Sequence, residues 1–154
     1  MKGFLWLADA ASWPAIQMSI SLWILGRPTQ YFEHDGSITR TRSWEQQGRV
    51  YRSILYVHRW KNYLPDGAEW FGKQSKRKLT GTGRENLTHL QTETRRAELA
   101  HWLMLACTPI LFLWNPLWAC GVLLGAGLVT NLPCILVQRY NRARLNRILA
   151  RTAG

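Results

Sequence analysis

The sequence predicts an all-α integral membrane protein with about three transmembrane helices and amphipathic interfacial helices in a basic cytoplasmic middle segment. Its apolar residues are gathered into two runs, 4–25 and 99–137, although the mean hydropathy is only -0.20. Crossing a bilayer takes about 20 mostly apolar residues, so the first run suits one crossing and the second is too long for one. The net charge of +11 lies mostly between and after the runs. We therefore expect residues 1–154 to form a single membrane domain.

The first predicted span, 4–25, is interrupted by polar residues such as Asp9 and Gln17. A cleaved secretory signal is the competing interpretation of an apolar run at this position. However, Lys2 is the only basic residue before the run, and no A-x-A-like cleavage site follows it before Arg27. We therefore expect an uncleaved span.

The second run divides at Asn115-Pro116, because proline lacks an amide donor and disfavours helix at the preceding residue. Spans of about 97–114 and 117–138 result. The tail 139–154 contains five arginines and no acid, which places it in the cytoplasm by the positive-inside rule. Three spans then put residues 27–96 in the cytoplasm and the N-terminus outside the cell membrane.

The middle segment has several local signals. Residues 43–46 have the S-x-x-Q form of a capping box, and the apolar residues that follow recur at helical spacing, which predicts an amphipathic surface helix. Residues 65–67, Pro-Asp-Gly, indicate a turn. A basic run occupies 73–78. Asn86 is suited to cap a helix that starts at Leu87 and continues into the second span.

The composition also bears on partners. A basic chain suits nucleic acid, but no zinc-finger or RNP-type motif is present, and the nine tryptophans lie largely in or beside the apolar runs. The charge is better explained by topology and by attraction to anionic lipids or phosphates. We expect membrane lipids as partners and no nucleic acid. The three cysteines all lie in apolar sequence without CxxC spacing, so they are expected to be inert.

The candidate chemistry lies at 92–102, TETRRAELAHW, where charged sequence runs into apolar sequence. The sequence has no G-x-S-x-G, P-loop, G-x-G-x-x-G or HExxH motif. On a helix, His89 and Glu93 share a face, whereas Glu98 and His101 fan away from it, so we predict no metal site and no cofactor.

Glu98 and His101 are three residues apart and share a helix face. Glu98 would orient His101 and raise its basicity, and His101 would take a proton from a hydroxyl. Glu93 is a reserve candidate for the acid-base pair. In the alternative interpretation, Glu98 neutralises Arg95 or Arg96, and His101 marks the headgroup layer.

Asn131 occurs late in the last apolar run, where lipid offers its amide no partner. It predicts a polar pocket that faces His101 near the cytoplasmic surface. The alternative is a helix kinked at Pro133 whose asparagine bonds a neighbouring helix.

Three stretches carry a family resemblance: RSWEQQGRVYRSILYVHRWKNYLPDG (42–67), ETRRAELAHW (93–102) and NLPCILVQRYNRARL (131–145). In these the chain resembles the glycosyl-4,4'-diaponeurosporenoate acyltransferases, small bacterial membrane proteins that esterify a sugar hydroxyl of a carotenoid glycoside with a fatty acyl group. The resemblance implies transfer from an activated thioester, acyl-CoA or acyl-carrier protein, to a glycolipid.

On this interpretation, His101, Glu98 and Glu93 are the candidate catalytic residues. Basic residues would hold donor phosphates, and an indole would stack on the sugar. The candidate substrate-binding residues are Trp60, Arg95, Arg96, Asn131, Arg139, Asn141, Arg142 and Arg144. A non-catalytic membrane scaffold, which binds anionic lipid or a pathway enzyme through the basic run 73–78, is the alternative function.

Overall fold

The computed structural model describes residues 2–64 and 83–151, and this part of the chain is helical without a β-strand. The α-helices are α1 (Lys2–Leu25), α2 (Arg49–Ser53), α3 (Val57–Trp60), α4 (Arg84–Cys107) and α5 (Leu117–Arg151). The 3-10 segments are Thr29–Phe32, Ser43–Gly48, Lys61–Tyr63 and Thr108–Leu113. The all-α prediction is confirmed for these residues. The predicted turn at 65–67 and the basic run 73–78 lie outside them.

A hairpin of α4 and α5 forms the centre of the fold, and the two helices make the most extensive contact in the molecule. The chain turns between them at Asn115-Pro116, as predicted. Within the part of the chain that the structure describes, two helical stretches are long and apolar enough to cross a membrane, Arg84–Leu113 and Leu117–Arg151. At 1.5 Å per residue the 35 residues of α5 extend about 52 Å, well beyond a hydrocarbon core of about 30 Å. The helix α5 is therefore longer than one crossing requires.

The two ends of α4 differ in detail from the predicted boundaries. The helix begins at Arg84 after the N-cap Gly83, rather than at Leu87 after Asn86, and it changes to a 3-10 segment at Thr108. Pro109 lies in the first turn of that segment, where its missing amide costs no helical hydrogen bond. The last predicted span ends at 138, but α5 continues without a break to Arg151.

The first helix, α1, packs against α4 and places a carboxylate at the hairpin turn. Asp9 Oδ1 accepts hydrogen bonds from Trp114 Nε1 at 2.9 Å and from Asn115 Nδ2 at 2.7 Å. Burial of a carboxylate among apolar helices is costly unless donors satisfy it, and these two donors do so. Asp9 thereby fixes the first half of α1 beside the α4–α5 turn.

The predicted continuous surface helix after Ser43 is wrong. Positive φ angles at Gln46, Gln47 and Gly48 (47°, 55° and 88°) interrupt the helix, and Tyr56 (48°) interrupts it again. The cap also lies one residue earlier than predicted, since Glu45 Oε1 accepts from the Arg42 amide at 2.7 Å.

The reason for the break is contact with α5. An added Cβ at Gly48 would lie 2.6 Å from the Cβ of Ala143, so only glycine permits this approach of the two backbones. The segment therefore folds against α5 instead of running along the surface as one helix.

We expect Gly48→Ala to destabilise the protein by about 1–3 kcal/mol, because it adds both a clash with Ala143 and strain at φ 88°. Thermal unfolding in detergent, followed by tryptophan fluorescence, measures this as a lower Tm. Gly121→Ala is the matched control, since nothing lies within 4 Å of its added Cβ. Equal Tm values for the two variants would contradict the described packing.

Candidate active site

The most buried charge in the region is Glu98 on α4, whose side chain is 0% exposed. Its Oε1 accepts a hydrogen bond from Arg139 Nε at 2.7 Å and another from Trp102 Nε1 at 3.2 Å. Arg142 Nη2 lies 2.6 Å from the other oxygen, Oε2. Arg139 and Arg142 are three residues apart on α5 and so share a face toward α4. One carboxylate on α4 thus holds two guanidinium groups of α5.

A second buried carboxylate, Glu45, joins the middle segment to the same arginine. Its Oε1 lies 2.8 Å from Arg139 Nη1, and its Oε2 accepts from the Tyr51 hydroxyl at 2.8 Å. Burial, followed by the hydrogen bond to Glu45, raises the pKa of Tyr51, so its phenol remains a neutral donor. Arg139 therefore bridges two carboxylates from different parts of the chain.

Backbone carbonyls complete this network, which we call the arginine clamp: Glu45, Glu98, Arg139 and Arg142. Arg139 Nη2 donates to the Ile38 carbonyl and Arg142 Nη2 to the Thr39 carbonyl, each at 2.6 Å. Among the described residues, Glu98 Oε2 and Arg142 Nη1 have no hydrogen bond of acceptable geometry. The 2.6 Å contact at Oε2 is thus an ion pair, since the Arg142 donor is directed at Thr39. The clamp contains two negative and two positive groups, so its charges balance.

The arginines Arg95 and Arg96 are also buried and internally paired. Arg95 Nε lies 2.6 Å from Asp35 Oδ1, and its Nη1 donates to the Glu33 carbonyl at 3.0 Å. Arg96 Nη1 lies 3.0 Å from Glu93 Oε1. In the alternative interpretation, Glu98 would neutralise Arg95 or Arg96. The structure pairs these two arginines with Asp35 and Glu93 instead.

His101 meets Asn131 where α4 and α5 approach closely. His101 Nδ1 lies 3.0 Å from Asn131 Oδ1, and Asn131 Nδ2 donates to the Gly127 carbonyl at 3.0 Å. An added Cβ at Gly127 would lie 2.8 Å from Thr108 Oγ1, so the small residue permits the approach. This contact fits both interpretations of Asn131, the polar pocket that faces His101 and the asparagine that bonds a neighbouring helix.

The hydrogen bonds also define the chemistry of this pair. A carbonyl oxygen only accepts, so the bond to Gly127 fixes the Asn131 amide with Oδ1 toward the imidazole. Nδ1 of a neutral His101 therefore carries the proton and donates, which leaves Nε2 as the basic nitrogen. The Glu98 oxygens contact Arg139, Arg142 and Trp102, whereas Asn131 contacts the His101 ring.

The other predicted substrate-binding residues have separate locations. Trp60 Nε1 donates to the Leu55 carbonyl at 2.9 Å, and the ring packs against the Tyr51, Val57 and Tyr140 cluster. Asn141 Oδ1 accepts from Lys61 Nζ at 3.4 Å. Arg144 is exposed and lines an open cleft at the end of α5.

Sequence reasoning missed Glu45 and Asp35 as partners of buried arginines. Both lie in the middle segment, far along the chain from Arg139 and Arg95. The available signal is scarcity: the chain has 9 acids for 20 lysines and arginines, so an acid beside apolar sequence is a strong candidate for an ion pair.

These features first define the class of protein. The fold is a small all-α protein with two helices suited to cross a membrane, a charge-balanced clamp at one end and a histidine–asparagine pair between the helices. No solved structure matches the chain.

The family follows from sequence comparison. The profile of the family described as glycosyl-4,4'-diaponeurosporenoate acyltransferase matches residues 28–151. The chain is 33% identical over 140 residues to the glycosyl-4,4'-diaponeurosporenoate acyltransferase of Staphylococcus haemolyticus (strain JCSC1435), which covers 90% of this chain and 81% of the relative. It is 29% identical over 138 residues to proteins with the same name from Staphylococcus aureus strains bovine RF122 / ET3-1 and USA300, covering 89% of this chain and 83% of each relative. The chain belongs to this acyltransferase family.

We expect Glu98→Gln to unfold the site rather than only to inactivate it. The substitution leaves two buried guanidinium groups with one carboxylate fewer, and breaking a buried ion pair typically costs about 3–5 kcal/mol. Tm in detergent measures the loss. Glu85→Gln, at an exposed position in the first turn of α4, is the control and should change Tm little. A Glu98→Gln protein with the Tm of the parent and no activity would instead assign Glu98 to catalysis.

Proposed function

We propose that this protein is a membrane-bound O-acyltransferase that moves a fatty acyl group from a thioester to a sugar hydroxyl of a carotenoid glycoside. The observation that carries the proposal is the His101–Asn131 pair, which offers a base of defined tautomer between the two apolar helices. Family membership supports acyl transfer as the reaction class. The name of the relatives supports glycosyl-4,4'-diaponeurosporenoate as the acceptor.

The reaction follows from the basic nitrogen of His101. Nε2 accepts the proton of the sugar hydroxyl while the sugar oxygen attacks the thioester carbonyl carbon. The carbon–sulfur bond then breaks, and the departing thiolate accepts from the imidazolium the proton that the sugar hydroxyl gave up. Asn131 Oδ1 stabilises the imidazolium through the Nδ1 hydrogen bond. The three cysteines lie within apolar sequence, which favours direct transfer over an acyl-enzyme intermediate.

Placement of this pair suits substrates with long apolar chains. His101 and Asn131 belong to the apolar stretches of α4 and α5. The charged clamp is adjacent to the pair: Glu98 lies one turn before His101 on α4, and Arg139 and Arg142 lie beyond Asn131 on α5. Exposed apolar side chains such as Val129 and Leu128 flank the pair on α5. The acyl and carotenoid chains would remain in the hydrocarbon layer while their polar ends reach His101.

We also propose three spans, with α1 as the first, the N-terminus outside and the C-terminus in the cytoplasm. Two observations support α1 as a span: its 24 residues, and the Asp9 hydrogen bonds that hold its first half at the α4–α5 turn. The turn would then lie outside. The basic tail and the middle segment would share the cytoplasmic side with the arginine clamp.

His101→Gln is expected to lower ester formation by about 10²–10⁴-fold, the usual contribution of a general base, without a change in Tm. The assay uses purified protein in lipid, acyl-CoA or acyl-carrier protein, and a glycosylated carotenoid, with the ester identified by mass spectrometry. His89→Gln, on an exposed position of the same helix, is the control and should retain activity. An unchanged rate for His101→Gln would remove His101 from the mechanism.

If the parent protein itself forms no ester under conditions in which a staphylococcal relative does, the proposed function is wrong and a non-catalytic scaffold becomes the better account. The same assay therefore tests both the role of His101 and the proposed acyltransferase function.

The three-span topology predicts opposite labelling of the two ends in intact cells. An epitope at the N-terminus should be accessible to an impermeant reagent, whereas an epitope at the C-terminus should react only after permeabilisation. Accessibility of both ends, or of neither, would indicate two spans and would remove α1 from the membrane.

A further inference from the structure

An open cleft of about 500 Å³ lies at the C-terminal end of α5, outside the site described above. Its charged and aromatic walls come from three helices: Arg52 of α2, His58 of α3, and Tyr140, Arg144, Arg147 and Arg151 of α5. The α5 members follow one another at spacings of four, three and four residues, so they form one stripe along that helix. We call this surface the basic cleft.

The charge of the basic cleft is uncompensated within residues 2–64 and 83–151. There, no aspartate or glutamate forms an ion pair with Arg52, Arg144, Arg147 or Arg151, and no acid lines the cleft. Arg147 Nε donates to the Ala143 carbonyl at 3.4 Å, which keeps that side chain along the helix. Guanidinium groups bind phosphate oxygens well, so four of them around one concave surface suit a phosphorylated ligand.

The contrast with the arginine clamp assigns different roles to neighbouring arginines. Arg139 and Arg142 are 8% and 1% exposed and are held by Glu45, Glu98 and backbone carbonyls, with Arg142 Nη1 the one clamp nitrogen described above as lacking a hydrogen bond. They would have to leave these partners to bind a phosphate, whereas the exposed Arg144 would not. Of the α5 arginines considered for donor phosphates, only Arg144 is positioned for an external ligand.

The distance between the basic cleft and His101 also limits the ligand. Arg144 follows Asn131 by 13 residues on α5, which corresponds to about 20 Å along the helix axis. A thioester that reacts at His101 while its phosphates occupy the basic cleft needs a long flexible linker between the two. A pantetheine arm between a nucleotide and the acyl sulfur has this form.

We propose that the basic cleft is the binding site for the phosphate groups of a coenzyme A-type acyl donor. This inference rests on the proposed function for its biological meaning, but the binding itself is independent of catalysis. The nucleotide phosphates bind Arg144, Arg147 and Arg151, and the pantetheine arm follows α5 toward the His101–Asn131 pair. Anionic lipid headgroups offer the same phosphate chemistry, so the test must separate the two sources.

The test measures binding of coenzyme A by titration calorimetry to the full-length protein in nanodiscs of neutral phosphatidylcholine. Pantetheine, which has the arm without the phosphates, is the matched ligand. The variant is Arg144→Gln/Arg147→Gln/Arg151→Gln. The control, Arg40→Gln/Arg49→Gln/Arg84→Gln, removes three exposed charges that do not line the cleft. Tm of each variant establishes that it is folded.

We expect the cleft variant to weaken coenzyme A binding about tenfold or more and the control variant to change it less than twofold. Pantetheine should bind far more weakly than coenzyme A and equally to all three proteins. In the acyltransferase assay, the cleft variant should raise the donor KM by a similar factor and leave kcat within twofold.

Two results would overturn the inference. One is coenzyme A binding, or a donor KM, that is the same in the cleft variant as in the parent. The other is a parent protein that does not bind coenzyme A, together with a cleft variant that loses only its binding to phosphatidylglycerol vesicles. That result would assign the basic cleft to lipid headgroups. Cleft-dependent coenzyme A binding without ester formation would leave this site standing and reject the proposed function alone.

Discussion

Arg139 lies between two buried carboxylates, Glu98 and Glu45, and the rest of the described structure depends on that arrangement. The effective cost of removing one ion from water is several kcal/mol, and only good geometry with a partner of opposite charge offsets it. Glu98 and Glu45 come from two other segments of the chain and precede Arg139 by 41 and 94 residues. Burying any one of these charges is costly unless its partners of opposite charge are buried beside it. The arginine clamp is therefore a condition for assembling α4, α5 and the middle segment together, and it sets their relative positions.

That requirement extends to the proposed reacting pair, His101 and Asn131. Side chains on a helix incline toward its N-terminus, so Arg139 and Arg142 lean back along α5 toward Asn131. Their contact with Glu98 fixes how far α4 can slide along α5. With that register fixed, His101, one turn beyond Glu98, lies opposite Asn131. Glu98 is thus important for His101 through helix position, although its carboxylate is occupied by arginines.

The sequence predicts those parts of the fold that depend on local rules. Asn115-Pro116 marks the hairpin turn, because proline lacks an amide donor and disfavours helix at the preceding residue, and the apolar runs identify α1, α4 and α5. Asn131 was recognisable as facing a partner, because an amide in apolar sequence requires one. The break after Ser43 was not, because Gln46, Gln47 and Tyr56 are not residues that indicate positive φ. The pairing of Glu45 with Arg139 was equally hidden, since no local pattern relates positions so far apart.

The different roles of the α5 arginines follow from helix rotation once the clamp is known. Arg142 and Arg144 are two residues apart and so point about 200° away from each other around the axis. If Glu98 draws Arg142 into the interior, Arg144 must face outward, and Arg147 and Arg151 follow on its side. The inner arginines are neutralised beside the helices, so little net positive charge opposes the apolar substrate chains there. The outer arginines keep their charge toward the C-terminal end of the helix. Under the proposed function, a single arginine-rich helix attracts a phosphorylated donor at its tip while the chemistry proceeds in apolar surroundings nearer its centre.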